Sequence, residues 1–192
     1  MTLKKHERQA TMGNGESSYR RFLEGDQAAF DEIVKELYYP LVFFIDRYVH
    51  DIHTAEDIAV DALTDLVVHK NRYNFKVTLK TYLFMIGRSR ALNVLKHRHV
   101  LEMAELSDDI SDDRKTLEET VLQTEIQRTV NCALAQLDDD CRLAIHLVYF
   151  EGFSYKEAAT VMKKTEKQID NTLQKAKARL RTLLGKEGEQ LL

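Results

Sequence analysis

Hydrophobic and polar positions repeat along most of this chain with the period of an α-helix that buries one face. Such stretches cover residues 28–38, 41–49, 55–66, 78–97, 118–137, 140–150, 155–162 and 166–184. We expect Pro40 to end or kink the first helix, because proline lacks the amide proton that continues the hydrogen bonds. Thr54 is the expected N-cap of the helix that follows. The pattern therefore predicts an all-α protein.

The most specific pattern lies in residues 154–184. Ser154 with Glu157, and Thr165 with Gln168, each form a capping box, in which the two side chains satisfy free amides at a helix start. The two capped helices begin eleven residues apart and are joined by a three-residue turn, which is typical of a helix-turn-helix DNA-binding motif. The alternative is a solvated, charged helix at the end of a bundle.

The second helix of this motif carries polar and basic residues on its outward face. Asn and Gln can address adenine edges in a major groove, whereas Lys and Arg can address guanine or phosphate. The candidate residues for duplex DNA are Lys164, Thr165, Lys167, Gln168, Asp170, Asn171, Gln174, Lys175 and Arg179.

A basic block occupies residues 66–101, which contain eight Lys or Arg and no Asp or Glu, although the 192-residue chain has a formal net charge of -3. Tyr73, Phe75, Tyr82 and Phe84 lie within this block. Basic and aromatic side chains together are typical of a surface for unpaired nucleic acid, because flat rings stack on bases. For Tyr82 and Phe84, packing in the core is the alternative.

An acidic stripe precedes the basic block. Asp57, Asp61 and Asp65 are spaced four residues apart and share one helical face. One interpretation is a solvated face, because the helix dipole favours acids near an N-terminus. The stripe extends beyond the first turn, where the dipole acts, so a docking surface for a basic partner is the other interpretation. Arg90 lies on the apolar side of the next helix, and it either pairs with an acid or extends to solvent. Gly87 indicates close helix approach.

An acidic segment, residues 102–116, lacks apolar periodicity and predicts a flexible linker. It separates two expected helical domains, residues 19–101 and 117–185, with a polar arm at 1–18 and a tail at 186–192. No apolar run reaches the roughly 20 residues that span a bilayer, and the start lacks a signal peptide. We therefore expect a cytoplasmic protein that does not insert into membranes.

The sequence offers no pattern for catalysis or for a cofactor. Cys132 and Cys141 lack the spacing of a metal site or a disulfide framework. No paired carboxylates, glycine-rich phosphate loop or nucleophile with a matched base stand out. We expect no catalytic residues, metal or cofactor, and the chain is not expected to be an enzyme.

Several fragments together resemble the extracytoplasmic-function (ECF) group of bacterial sigma factors, the promoter-specificity subunits of RNA polymerase. The fragments are residues 25–30, 55–57, 79–88, 133–137, 149–159 and 176–180. The resemblance implies an N-terminal sigma region 2-like bundle and a C-terminal sigma region 4-like helix-turn-helix domain. A stand-alone helix-turn-helix regulator and a polymerase-binding regulator that does not read DNA are the alternative functions.

The resemblance also implies partners and site residues. Glu56, Asp57, Asp61 and Asp65 would dock on the coiled coil of the largest subunit of core RNA polymerase, and the polymerase flap region and an anti-sigma factor are further implied partners. The helix from Glu166 would read the minus-35 element of promoter DNA as duplex. The implied contacts to the melted minus-10 strand are Asn71, Arg72, Tyr73, Phe75, Lys76, Tyr82, Arg88, Ser89, Asn93 and Lys96.

Overall fold

The computed structural model of the chain describes residues 15–105 and 125–188. It divides into two compact units, Met1–Asp113 and Arg114–Leu192. Within the described ranges all regular structure is helical, which confirms the predicted all-α fold class. None of the helices in these ranges is long and apolar enough to cross a membrane.

The described part of the first unit consists of α1 (Glu16–Leu23), α2 (Ala28–Val49), α3 (Ile52–Val68) and α4 (Leu79–Glu105). Helix α2 packs against the other three helices and forms the centre of the bundle. Phe44 of α2 and Phe84 of α4 are fully buried, with ring centroids 4.7 Å apart. A Cβ at Gly87 would lie 3.0 Å from a methyl carbon of Leu41, so the close helix approach expected there is confirmed.

The helix end expected at Pro40 is wrong, because α2 runs from Ala28 to Val49 with Pro40 inside it, whereas the alternative of a kink stays a prediction. Pro40 removes one hydrogen bond from the helix. Leu37 and Leu41, one on each side of it, are almost completely buried. Continued burial of the same apolar face outweighs the loss of that one bond.

The N-cap expected at Thr54 is also wrong. Asp51 is the N-cap, with extended backbone angles, and α3 begins at Ile52. The Thr54 hydroxyl instead donates a hydrogen bond to the Asp51 carboxylate. Helix α3 therefore begins three residues before residue 55, where the apolar pattern begins.

The described part of the second unit consists of α5 (Glu125–Ala135), α6 (Asp139–Ile145), a π-helical turn (His146–Phe150), α7 (Tyr155–Met162) and α8 (Glu166–Gly188). The single α-helix predicted for residues 140–150 is thus wrong, because its second half is wound as a π-helix. Leu147, Ile169 and Leu173 form the centre of the core.

Parts of the predicted organisation lie outside the described residues. These are most of the arm, the linker from residue 106 onward, the start of the helix predicted at 118–137, and the end of the tail. The domain boundaries drawn from the sequence remain predictions.

Candidate nucleic-acid interface

Both predicted capping boxes are present. Ser154 accepts a hydrogen bond from the Glu157 amide, and the Glu157 carboxylate accepts one from the Ser154 amide. In the second box the Thr165 amide donates to Gln168 Oε1 at 2.8 Å, and the Gln168 amide donates to Thr165 Oγ1 at 3.2 Å. The side-chain oxygen of Gln168 is therefore committed to the helix start, which leaves its NH₂ group as the part that can address a base.

The turn between α7 and α8 is sharp. Lys163 ends α7 in the left-handed conformation, with φ 54°, and the Lys164 amide donates to the carbonyl oxygen of Ala159 at 2.9 Å. A left-handed residue other than glycine is unfavourable by itself, and it persists here because the packing of the two helices fixes the turn.

Helix α8 divides into a buried and an outward face. Ile169, Leu173, Ala176 and Leu180 are buried against the rest of the unit. The exposed residues are Lys167, Gln168, Asn171, Gln174, Lys175 and Arg179, whereas Asp170 is half-buried and accepts a hydrogen bond from Gln174 Nε2 at 3.0 Å. The structure thus brings most of the predicted duplex-binding residues onto one helical surface.

Two of the predicted duplex-binding lysines already have acidic partners. Lys164 Nζ lies 2.5 Å from Asp140, and Lys175 Nζ lies 2.7 Å from Asp138. The hydrogen bond from Lys175 lowers the pKa of Asp138 to about 2, and the hydrogen bond from the Cys141 amide adds to this effect. Such exposed ion pairs contribute little to stability, so a phosphate can replace the carboxylate at small cost.

The loop between α3 and α4 carries a buried aromatic residue. Tyr73 is only 3% exposed, its ring lies 5.1 Å from that of Tyr82, and its hydroxyl donates to the carbonyl oxygen of Val77 at 2.8 Å. Burial raises the pKa of Tyr73 to about 12. The expectation that Tyr73 meets a base is corrected, because its ring is a core side chain.

The rest of the basic block is more accessible. Phe84 is fully buried, which selects the core alternative for that residue, whereas Tyr82 is half-buried. Phe75 is half-buried in the loop beside Tyr73. The predicted single-strand contacts that are exposed or half-buried are Asn71, Arg72, Phe75, Lys76, Tyr82, Arg88, Ser89, Asn93 and Lys96.

The acidic stripe is partly engaged within the first unit. Arg90 Nη1 donates to Asp61 Oδ2 at 2.7 Å, and Arg90 Nη2 donates to Asp65, which selects the paired alternative for Arg90. The Asp65 side chain is 22% exposed and also faces His69 and Arg72, whereas Asp61 is 68% exposed. The Asp65 carboxylate thus faces side chains of its own unit, and its docking role stays a prediction.

The structure also places a residue beside this loop that the sequence pattern does not indicate. Arg20 of α1 lies over the ring of Phe75, with its Cζ atom 4.0 Å from the ring centroid. The two residues are 55 positions apart, so no local pattern could indicate the contact.

No group of three or more His, Cys, Asp or Glu residues that could hold a metal ion occurs among residues 15–105 and 125–188.

Known proteins resemble the chain over most of its length. Residues 127–180 match the family model described as Sigma-70, region 4. The chain is 32% identical over 152 residues to the RNA polymerase sigma-H factor of Pseudomonas aeruginosa, a match that covers 74% of this chain and 79% of that protein. It is 26% identical over 155 residues to the ECF RNA polymerase sigma factor SigM of Bacillus subtilis, with 80% and 93% covered.

Solved structures share the fold. The sigma factor RpoE from Bartonella quintana, solved in complex with the anti-sigma factor NepR, matches with a TM-score of 0.65 at 24% identity. This match covers 81% of the present chain and 96% of the solved one.

Proposed function

Because the chain belongs to the extracytoplasmic-function group of bacterial RNA polymerase sigma factors, we propose that it binds core RNA polymerase and directs it to promoters with minus-35 and minus-10 elements. It supplies binding and sequence selection, and it helps to open the DNA. The polymerase supplies the catalysis, so the chain needs no active site or cofactor of its own. We expect it to act in the cytoplasm.

The observation that carries this proposal is the pair of capped helices α7 and α8. Helix α8 presents Lys167, Asn171 and Gln174 on the side opposite its buried residues. A helix with this surface fits the major groove, where amide side chains address adenine and lysine addresses guanine. Lys164 and Lys175 would contact phosphates and set the orientation of the helix. We call this surface the proposed minus-35 site.

The proposed minus-10 site is the loop at residues 71–76 together with the outward face of α4. Arg72, Lys76 and Lys96 are exposed cations that suit phosphates. Phe75 and Tyr82 are half-buried rings that suit unpaired bases. The combination favours melted DNA over duplex, because the bases of a duplex are already stacked on each other.

The proposed polymerase-docking surface is the accessible part of the acidic stripe with its neighbour Glu56. Asp57 and Asp61 are exposed, and Glu56 is half-buried. A basic coiled coil complements these charges, since opposite charges steer encounter and fix orientation. We further propose contact of the second unit with the polymerase flap region, and sequestration by an anti-sigma factor, the kind of partner bound by the Bartonella relative.

The test is run-off transcription with purified core RNA polymerase, this chain and a promoter library. We expect initiation at defined sites only when both proteins are present. If the chain alone binds duplex promoters as a dimer, it is a stand-alone regulator. If it binds core polymerase without directing initiation, it is a polymerase-binding regulator that does not read DNA.

A further inference from the structure

The loop between α3 and α4 holds one residue in a disfavoured backbone conformation. Phe75 has φ 60°, in the left-handed region. A bulky residue other than glycine rarely adopts this conformation, and it persists only where the surroundings hold it. The contacts of Phe75 therefore decide the shape of the loop.

The Phe75 ring is held between an arginine and two tyrosines. The guanidinium carbon of Arg20 lies 4.0 Å from the ring centroid, which is a cation–π contact. Glu16 fixes the arginine from one turn earlier in α1, with Nη2 and Oε1 3.1 Å apart. The rings of Tyr73 and Tyr19 lie 4.6 Å and 6.2 Å from that of Phe75.

Helix α1 is itself fixed to the elements on both sides of the loop. The buried Tyr19 hydroxyl donates to the carbonyl oxygen of Leu66, at the end of α3, at 2.9 Å. At the start of α1, a Cβ on Gly15 would lie 3.1 Å from a methyl carbon of Leu79, the first residue of α4. Arg20 is therefore presented to the loop from a rigid support.

We propose that Arg20 is a positioning residue for recognition of the melted strand, and that it acts through Phe75. Its guanidinium holds Phe75 in the left-handed conformation and so fixes the loop on which Asn74 and Lys76 stand. The Lys76 amide donates to Asn74 Oδ1 at 3.1 Å, so the two residues that flank Phe75 are connected to each other. Without Arg20 the backbone at Phe75 relaxes and both residues move. The inference rests on the proposed function of this loop in reading the minus-10 strand.

The test compares base preference, because a merely structural role would not change it. Full-length protein with core RNA polymerase is bound to a pool of forked DNA whose single-stranded minus-10 segment is randomised, and the bound molecules are sequenced. We expect Arg20→Ala to reduce the preference for the best base at one or more positions by about two- to fivefold, the size expected from an exposed cation–π contact. Arg20→Gln should do the same.

Arg21 provides the matched control. It carries the same charge on the same helix but pairs with Glu32 at 2.6 Å and Asp26 at 3.5 Å. Arg21→Ala should leave base preference unchanged. In a Phe75→Ala background, Arg20→Ala should have no further effect, because the two changes remove the same contact.

Two results would overturn the inference. One is a uniform loss of affinity for all sequences in Arg20→Ala, and the other is an unchanged effect of Arg20→Ala in the Phe75→Ala background. The first would make Arg20 a direct phosphate contact, and the second would mean that Arg20 acts without Phe75. An absence of base preference in the unmodified holoenzyme would instead contradict the proposed function of the loop.

Discussion

Asp138 performs two tasks at the proposed minus-35 site, and substitution can separate them. Its carboxylate caps α6 by accepting a hydrogen bond from the Cys141 amide at 2.9 Å. It also binds Lys175 of α8 at 2.7 Å. Asp138→Ser keeps a capping oxygen and removes the charge, whereas Asp138→Ala removes both. The two variants should therefore differ in stability but affect Lys175 equally.

The magnitudes follow from exposure and capping. A fall in the pKa of Asp138 from 3.8 to about 2 would correspond to roughly 2.4 kcal/mol for a group shielded from water. The side chain of Asp138 is 47% exposed, so screening reduces this to at most about 1 kcal/mol. The hydrogen bonds to Cys141 supply part of this pKa shift, so the ion pair with Lys175 contributes less than the whole of it, and loss of the cap by itself costs about 1 kcal/mol. We expect Asp138→Ser to lower the free energy of unfolding by up to about 1 kcal/mol and Asp138→Ala by about 1 to 2 kcal/mol.

Urea unfolding of the full chain as a function of pH measures these terms. A carboxylate with a lowered pKa stabilises the folded state above its unfolded pKa of 3.8, and this contribution is lost as the pH falls towards about 2. The difference between the unmodified protein and Asp138→Ser should therefore shrink between about pH 4 and pH 2. A difference that stays constant over this range would refute the ion-pair reasoning.

The same variants test DNA binding. Without Asp138, Lys175 no longer has to leave a carboxylate before it contacts a phosphate, so holoenzyme affinity for minus-35 duplex should rise by up to about fivefold, which corresponds to about 1 kcal/mol. Both variants should show this effect despite their different stabilities. Unchanged affinity in both would mean that Lys175 does not meet the DNA backbone.

Two further predictions concern the proposed binding surfaces. Asp57→Lys with Asp61→Lys should abolish co-purification with core RNA polymerase, while circular dichroism shows that the helical content is retained. Asp31→Lys, which changes an exposed acid on α2, is the control and should still bind. Retained binding in the Asp57→Lys, Asp61→Lys variant would rule out this docking surface. Lys167→Ala with Asn171→Ala should reduce transcription from promoters that depend on minus-35, with each lost base contact weakening binding by about 1 to 3 kcal/mol, and an effect limited to promoters without that element would mean that α8 is misassigned.

The helices and their caps could be predicted from the sequence where the signal is local. A capping box needs only residues three apart, so both boxes in the helix-turn-helix were readable directly. Pro40 shows the limit of such signals, because burial on both sides of it overrides its local preference. The π-helical turn at residues 146–150 had no local signal that the apolar period could reveal.

The candidate site shows the same division. Exposed residues such as Lys167 and Asn171 were found from helical spacing and charge. The sequence did not indicate that Tyr73 is buried or that Asp65 pairs with Arg90, because both depend on which helices pack together.

The sequence by itself determined the helical fold, the helix-turn-helix, the separation of charge into blocks and the family. Each of these depends on residue types and on spacings of a few residues along the chain. Only the tertiary structure decided which charged side chains are accessible and what fixes the shape of the loop at residues 71–76. Arg90 engages the acidic stripe, and Arg20 reaches Phe75 from a helix far away in sequence. The physical reason is that charge and ring contacts act over a few ångströms in space, whatever the distance along the chain.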